Sequence, residues 1–421
     1  MRAAPPRSLW AVLAFAALML AACGKGNEQA AVTSGGGAGT PSKLAPVAAQ
    51  GAVSVATRNT TRLGGSDVAA DAAAVARAVY PGLTPATRPQ AVVLVDERDW
   101  PAALSASALA GAPAGAPILF SEGGALPQIS LQTLEAMHPL GAPALAGAQV
   151  ISIGASVATP AGYASRHVRA STPAATAVAV ERLLLALDRG NAPRQAIVLA
   201  QEAPPALAMP AAGLAAESGA PILLVGRSGV PGVTAAALAG LHRPSIYTID
   251  APSIGRRTLD ELRRFGPLTR IPGGRAPAAG SATAAATDEQ AVESAIEVAR
   301  FTAGTFGWGV KEPGHGLVFA NLTRPLDAPA AALLSASGDY GPLLLLSSAT
   351  RVPTVLIHYL SDIKPAYVNP QYPPVRGAYN HGWLIGDEQA ISAVTQAEID
   401  SMLEIAPRAQ TSEEASEQQL E

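Results

Sequence analysis

The sequence predicts an α/β protein built from one small unit written three times, each unit with a mainly parallel sheet, and three observations carry that prediction. An apolar run behind a proline recurs as Gly115-Ala116-Pro117-Ile118-Leu119-Phe120, Gly219-Ala220-Pro221-Ile222-Leu223-Leu224 and Tyr340-Gly341-Pro342-Leu343-Leu344-Leu345-Leu346. A second run precedes each of these, as Ala91-Val92-Val93-Leu94-Val95, Ala196-Ile197-Val198-Leu199-Ala200 and Gly316-Leu317-Val318-Phe319-Ala320. A third follows, as Val150-Ile151-Ser152-Ile153-Gly154, Ile246-Tyr247-Thr248-Ile249-Asp250 and Trp383-Leu384-Ile385-Gly386-Asp387. Continuous apolar runs of this length are what parallel strands covered on both faces look like. Ala-rich helical patterns at 102–110, 207–218 and 328–337 separate the runs, and strands alternating with helices argue for right-handed crossovers.

At the N-terminus, Arg2 and Arg7 precede the apolar stretch 9–20, which is too short for a spanning helix of roughly 20 residues and reads as a secretory signal. Its end, Leu20-Ala21-Ala22-Cys23, resembles the bacterial lipobox. That resemblance implies removal of residues 1–22, acylation of Cys23 with palmitate-like chains and an extracytoplasmic protein anchored in the membrane by lipid. Cys23 is the single cysteine, so an intramolecular disulfide is not available and packing must hold the fold. Residues 23–50, rich in Gly, Ser, Ala and Pro, read as a flexible tether, and 407–421, with Glu413, Glu414, Glu417 and Glu421, as an acidic solvated tail.

The three units are expected at 51–162, 163–265 and 266–406. Their openings repeat as Arg62-Leu63-Gly64-Gly65 and Arg270-Ile271-Pro272-Gly273-Gly274, whereas the middle unit has Arg166-His167-Val168-Arg169 without the glycines. Only 4% of residues are aromatic against 49% hydrophobic, so the cores are expected to be small, closely packed layers of Ala, Val, Leu and Ile. The third unit diverges, with an Ala-rich insertion at 276–286, then Phe301, Phe306 and Trp308, and two aromatic stretches at 367–372 and 379–383. Two readings of these aromatics are open, a plug between units and a shelf on which sugars stack.

Taken together, these motifs resemble the cell wall binding type 2 repeat of Gram-positive surface proteins. The resemblance rests on Arg62-Leu63-Gly64-Gly65-Ser66-Asp67, the helix start at Trp100-Pro101-Ala102-Ala103-Leu104, the Pro-anchored strands and the closing turn Gly386-Asp387-Glu388-Gln389-Ala390-Ile391. It covers nearly the whole chain after the tether, and it departs from the pattern at Ala102, where the family has Asp. It implies Rossmann- or Toprim-like modules packed about a pseudo-threefold axis and noncovalent retention on an anionic cell-wall polymer, teichoic-acid-like or another polysaccharide. It also implies that Ile118, Leu119, Phe120, Ile222, Leu223, Leu224, Leu343, Leu344 and Leu345 take part in polymer anchoring. Read from the residues alone, these nine are core strand positions, and the loops behind them are the better contact surface.

Among charged residues, Arg62, Arg98, Arg227, Arg270 and Arg351 are candidate partners for phosphate or carboxylate, since the guanidinium fork binds both bidentately; the plainer reading is that they are solvated. The 29 Lys plus Arg against 32 Asp plus Glu leave no basic excess for a phosphate backbone, so nucleic acid is not an expected partner. The six His are scattered without a His-Glu-x-x-His motif or a Cys partner, and neither a Gly-x-Ser-x-Gly elbow nor a phosphate loop occurs. Asp96-Glu97-Arg98-Asp99 reads as a solvated strand-to-helix loop with Asp99 near a helix start. No cofactor, metal or catalytic residue is therefore expected. Three functions are consistent with the sequence: a membrane-tethered wall-binding lipoprotein, the solute-binding lipoprotein of a transporter, and a wall-modifying enzyme. Threefold repetition argues against the second, and repeats filling the chain leave little room for the third.

Overall fold

Three sheets share one strand order in the computed structural model, which describes residues 53–154, 156–157, 159–189, 193–249, 253–274, 284–336, 340–366 and 379–406. The signal at 1–22, Cys23, the tether, the acidic tail, most of the Ala-rich insertion and the aromatic stretch 367–372 lie outside the described residues. The described chain belongs to one compact unit, Ala49–Glu421.

In the first sheet, β3 (Val92–Asp96) is flanked by β4 (Ile118–Ser121) and β5 (Val150–Ile153), with β6 (Ser165–Val168) beyond β5. The second repeats this with β7 (Gln195–Ala200), β8 (Ile222–Val225), β9 (Ser245–Ile249) and β10 (Leu268–Ile271). The third repeats it with β11 (Gly316–Asn321), β12 (Tyr340–Leu346), β13 (His381–Ile385) and β2 (Thr60–Gly64), and adds β1 (Val53–Ala56) antiparallel to β2. All other pairings are parallel. The register also repeats: Ile118 faces Val93, Ile222 faces Ile197, and Leu343 faces Val318.

One feature differs from the expected unit boundaries. Each opening strand joins the sheet of the unit before it, so β6 extends the first sheet, β10 the second, and β2, from the start of the chain, the third. The register places Leu63 against Ile385, Val168 against Ile153 and Ile271 against Ile249. His167, not Arg166, therefore occupies the middle unit's equivalent of Arg62.

The helices follow the same cycle. α1 (Val68–Val79), α4 (Pro173–Leu187) and α9 (Ala284–Arg300) each pack on the Pro-anchored strand of their own unit, β4, β8 and β12. On the other side they touch the second helix of the preceding unit, α10 (Asp327–Ser335), α2 (Trp100–Ala106) and α6 (Pro210–Ser218) respectively. Those second helices meet one another, α10 against α6 and both against α2 and its following 3-10 turn Ser107–Ala110. A single helix expected at 207–218 is instead α5 (Pro205–Ala208) and α6, because Pro210 takes the first position of a new helix. Close approach explains the small residues: a Cβ on Gly213 would sit 2.7 Å from Ser335 Oγ, and one on Gly111 would meet the Ala216 carbonyl at 1.9 Å. Helix starts are closed by Asp67, Asp99 and Thr172, whose side chains accept from Ala70, Ala102 and Ala175 N–H. The remaining helices are α3 (Gln128–Met137), α7 (Gly232–Gly240), α8 (Arg256–Leu262), α11 (Thr354–Asp362) and α12 (Ala393–Leu403).

Candidate functional site

In open α/β sheets, ligands bind outside the carboxyl ends of the strands, where the strand order reverses. Here that places three mouths at the ends of β3 and β5, β7 and β9, and β11 and β13.

The nine apolar residues of the Pro-anchored strands are not at those surfaces. Ile118, Leu119, Phe120, Ile222, Leu223, Leu224, Leu343, Leu344 and Leu345 are all at most 2% exposed, lying in sheets covered by α1, α4 and α9. That packing leaves their side chains no exposed face for a polymer, and the loops that follow them are the surface they fix in place. Ser130 of α3 and Thr234 of α7 fasten two of these strand ends, their hydroxyls donating to Phe120 O at 3.0 Å and Leu224 O at 2.8 Å.

Arg62 is also removed from any ligand. It is 4% exposed, and its guanidinium donates to Gly386 O at 2.9 Å, Asp387 O at 2.7 Å and Ile391 O at 2.6 Å. Two more bonds, at 3.1 and 2.9 Å, go to Gln396 Oε1. Burial pushes its pKa down despite the nearby charges of Glu388 and Asp387. Arg62 is thus a clasp between the N-terminal strand and the end of the third unit. Arg270, its counterpart by sequence, is exposed on the edge strand β10.

Arg98 is exposed but engaged, gripping Asp96 through Nε–Oδ1 at 2.9 Å and Nη2–Oδ2 at 2.8 Å. The Arg98 hydrogen bonds hold the Asp96 carboxyl below its ordinary range, while burial and then the charges of Glu122, Asp96 and Asp67 push Glu97 up. This first mouth is acidic. At the second, Arg227 projects from the two-residue tip of a loop closed by Gly226 and Gly229. Arg351, after β12, is exposed as well.

The third mouth holds a cluster that sequence reasoning missed. Arg324, between β11 and α10, pairs with Asp71 of α1, and its Nε lies 3.2 Å from Asp327 Oδ2 and its Nη1 3.6 Å from Asp387 Oδ1. Asp71 and Asp327 are fully buried, and Asp71 also accepts from Gly65 N–H at 2.7 Å. Burial raises the Asp71 pKa to about 6 against the pull of Arg324, and raises Asp327 well above its usual value, reinforced by the adjacent Asp71. The signal was present in the sequence as an Asp at the start of α10 where the first unit has Ala102, and as a lone Asp in the Ala-rich α1.

A pH dependence follows from this cluster. Between an unfolded value near 3.8 and the folded value about 6, the folded chain holds protons that the unfolded chain has released. The stability that Asp71 contributes is full below pH 3.8 and is lost as pH rises through about 6. Asp71→Asn is expected to flatten the melting-temperature profile between pH 4.5 and 7.5 relative to the natural chain. An unchanged slope in calorimetry would show that Asp71 does not carry it.

For Phe301, Phe306 and Trp308, the described residues favour the plug. Phe306 stacks on Tyr247 of β9 with centroids 3.8 Å apart, Phe301 meets the same ring edge-on at 5.9 Å, and Trp308 reaches α6 near Gly213. All three thus join the second and third units. Among the described residues, no helix is long and apolar enough to cross a membrane and no cluster of His, Cys, Asp and Glu is placed to hold a metal ion. A cavity of about 580 Å³ lies at the opposite, amino ends of β3 and β5, lined by small apolar residues with Gln90 and Arg189.

No family model and no curated protein matches the chain. Among solved structures it is similar to Cwp6 from Clostridium difficile, with a TM-score of 0.62 at 18% identity over 85% of this chain and 50% of that one. It is likewise similar to Cwp8 from Clostridium difficile, with a TM-score of 0.60 at 18% identity over 82% of this chain and 52% of that one. The chain therefore spans about half the length of these neighbours, and what it shares with them is the fold.

Proposed function

We propose that the protein is a cell-envelope lipoprotein, tethered to the membrane at Cys23, whose α/β ring associates noncovalently with anionic cell-wall polymer and performs no catalysis. The observation that carries this reading is the fold likeness to two cell wall proteins over more than four-fifths of the chain. A wall role suits a compact ring with exposed loops at three sheet mouths. A transporter's solute-binding lipoprotein would instead be expected to close two lobes over one cleft. Lipid anchoring rests on the lipobox-like Leu20-Ala21-Ala22-Cys23, and several acyl chains anchor stably where one binds only marginally.

Co-sedimentation with purified bacterial walls, before and after their anionic polymer is stripped, tests the wall half. Binding that survives stripping would remove the anionic polymer from the proposal. In cells fed a fatty-acid probe, Cys23→Ser is expected to lose all label, and undiminished label would sink the lipid half.

A further inference from the structure

The three mouths are built alike but charged differently. In the middle unit, Thr258 Oγ1 of α8 donates to Gly226 O at 3.3 Å and Arg227 O at 3.2 Å, fixing the loop after β8 against the start of that helix. Glu261 of the same helix accepts from Val230 N–H at 3.1 Å. The third unit makes the same joint, with Thr395 Oγ1 of α12 donating to Ala349 O at 2.8 Å. Matched by the carbonyl each threonine binds, Arg227 stands where the third unit has Ala349, and counting back from the two threonines, Arg256 and Arg257 stand where it has Ala393 and Val394. The first unit has the same tight loop after β4, but its tip is Gly123-Gly124 behind Glu122, and the described residues between β5 and β6 form no helix.

Charge over the whole chain follows the same division. Residues 163–265 carry eleven Arg against seven Asp plus Glu, whereas 51–162 carry five against seven and 266–406 carry eight Lys plus Arg against thirteen. Arg98 and Arg324, at the mouths of the other two units, are already engaged by carboxylates, which leaves the single exposed Arg351 after β12 against three arginines gathered at the middle joint. Arg227 and Arg256 are exposed and have no ion-pair partner among the described residues, while Arg257 shares Glu261 at 3.3 Å with its side chain 83% exposed.

We infer that this loop–helix joint, Arg227 with Arg256 and Arg257, is where the protein grips the carboxylate or phosphate groups of a wall polysaccharide, so that the middle unit carries the polymer contact. The inference rests on the wall-binding reading above and locates it. Guanidinium forks held on a fixed loop and helix start are suited to such oxyanions. A lipid surface fits less well, because Ile254 is buried and neither 226–230 nor 253–258 offers the aromatic residues that collect at membrane interfaces.

The test uses the chain from Gly24 onward, which keeps the whole compact unit from Ala49, with immobilised polygalacturonate and with phosphatidylglycerol vesicles at low and physiological salt. The triple variant Arg227→Gln, Arg256→Gln, Arg257→Gln is expected to weaken polygalacturonate binding about tenfold, three exposed ion pairs each being worth a few-fold. A control, Arg77→Gln, Arg182→Gln, Arg194→Gln, changes the net charge equally at exposed positions away from the mouths and is expected to change binding less than twofold. Circular dichroism melts establish that both variants fold. Equal losses in the two variants, or an unaffected joint variant while the natural chain still sediments with walls, would overturn this location and leave wall binding standing. Vesicle binding without polygalacturonate binding would make the joint a membrane contact and overturn the inference. A natural chain that binds neither walls nor polygalacturonate would overturn it together with the wall-binding reading.

Discussion

Arg62→Met is expected to cost about 3 kcal/mol of stability or more, because it takes the donor from several buried acceptors at once. The substitution keeps most of the side-chain volume but leaves Gly386 O, Asp387 O, Ile391 O and Gln396 Oε1 without the donor they now share. Each buried acceptor left unsatisfied costs about 1–3 kcal/mol. Gln396 is committed elsewhere too, since its Nε2 donates to Thr60 Oγ1 at 3.1 Å, so the loss reaches the start of β2. Arg62→Lys should recover part of the stability, because an ammonium has three donors for an arrangement built around a planar fork. Urea unfolding measures the loss, and hydrogen exchange locates it: protection should fall first in β2 and β13 and last in β7 and β8. A loss below 1 kcal/mol would mean that water replaces the guanidinium and that the N-terminal strand is held by its backbone ladder alone.

The same strand shows which parts of the fold can be read from a single sequence. Parallel strands buried on both faces announce themselves as apolar runs, so Ile118-Leu119-Phe120 and its two counterparts marked their positions without a structure. Edge strands do not. Ser165-Arg166-His167-Val168 and Leu268-Thr269-Arg270-Ile271 each expose two central residues, and Val53-Ser54-Val55-Ala56 is too short to separate from a linker. Nor does a local pattern say that β2 will join the third sheet, since that choice is made by contacts more than 300 residues apart, such as Asn59 N–H to Asp400 Oδ1 at 2.7 Å. The candidate site was legible only as residue types. Arg62, Arg98 and Arg227 look alike in the sequence, yet one is buried against carbonyls, one is gripped by Asp96, and one stands free at a loop tip. Partners that lie elsewhere in the chain decide between those fates.

Ending the chain after Ile271 is expected to abolish cooperative folding of the first two units, although each of their sheets would be complete in sequence. β2 would lose β13, Arg62 its acceptors, and Asp71 its guanidinium partner Arg324. α1 and α6 would lose α10, against which both now pack, and Tyr247 would lose the stacked Phe306. In a linear array of repeats, stability is nearly a sum over neighbours, and removing the last repeat leaves the others much as they were. A closed arrangement behaves differently, because the truncation breaks two interfaces at once, one on each side of the missing unit. The measurement is a thermal melt by circular dichroism together with limited proteolysis of the 24–271 fragment. A broad, early transition and rapid cleavage within 53–79 are expected. A sharp transition within a few degrees of the full chain would show independent beads instead. Truncation therefore cannot report the polymer affinity of a two-unit form unless that form first proves to be folded, and this is why the polymer contact is better tested by surface substitutions at Arg227, Arg256 and Arg257, which leave the closing contacts of the ring intact.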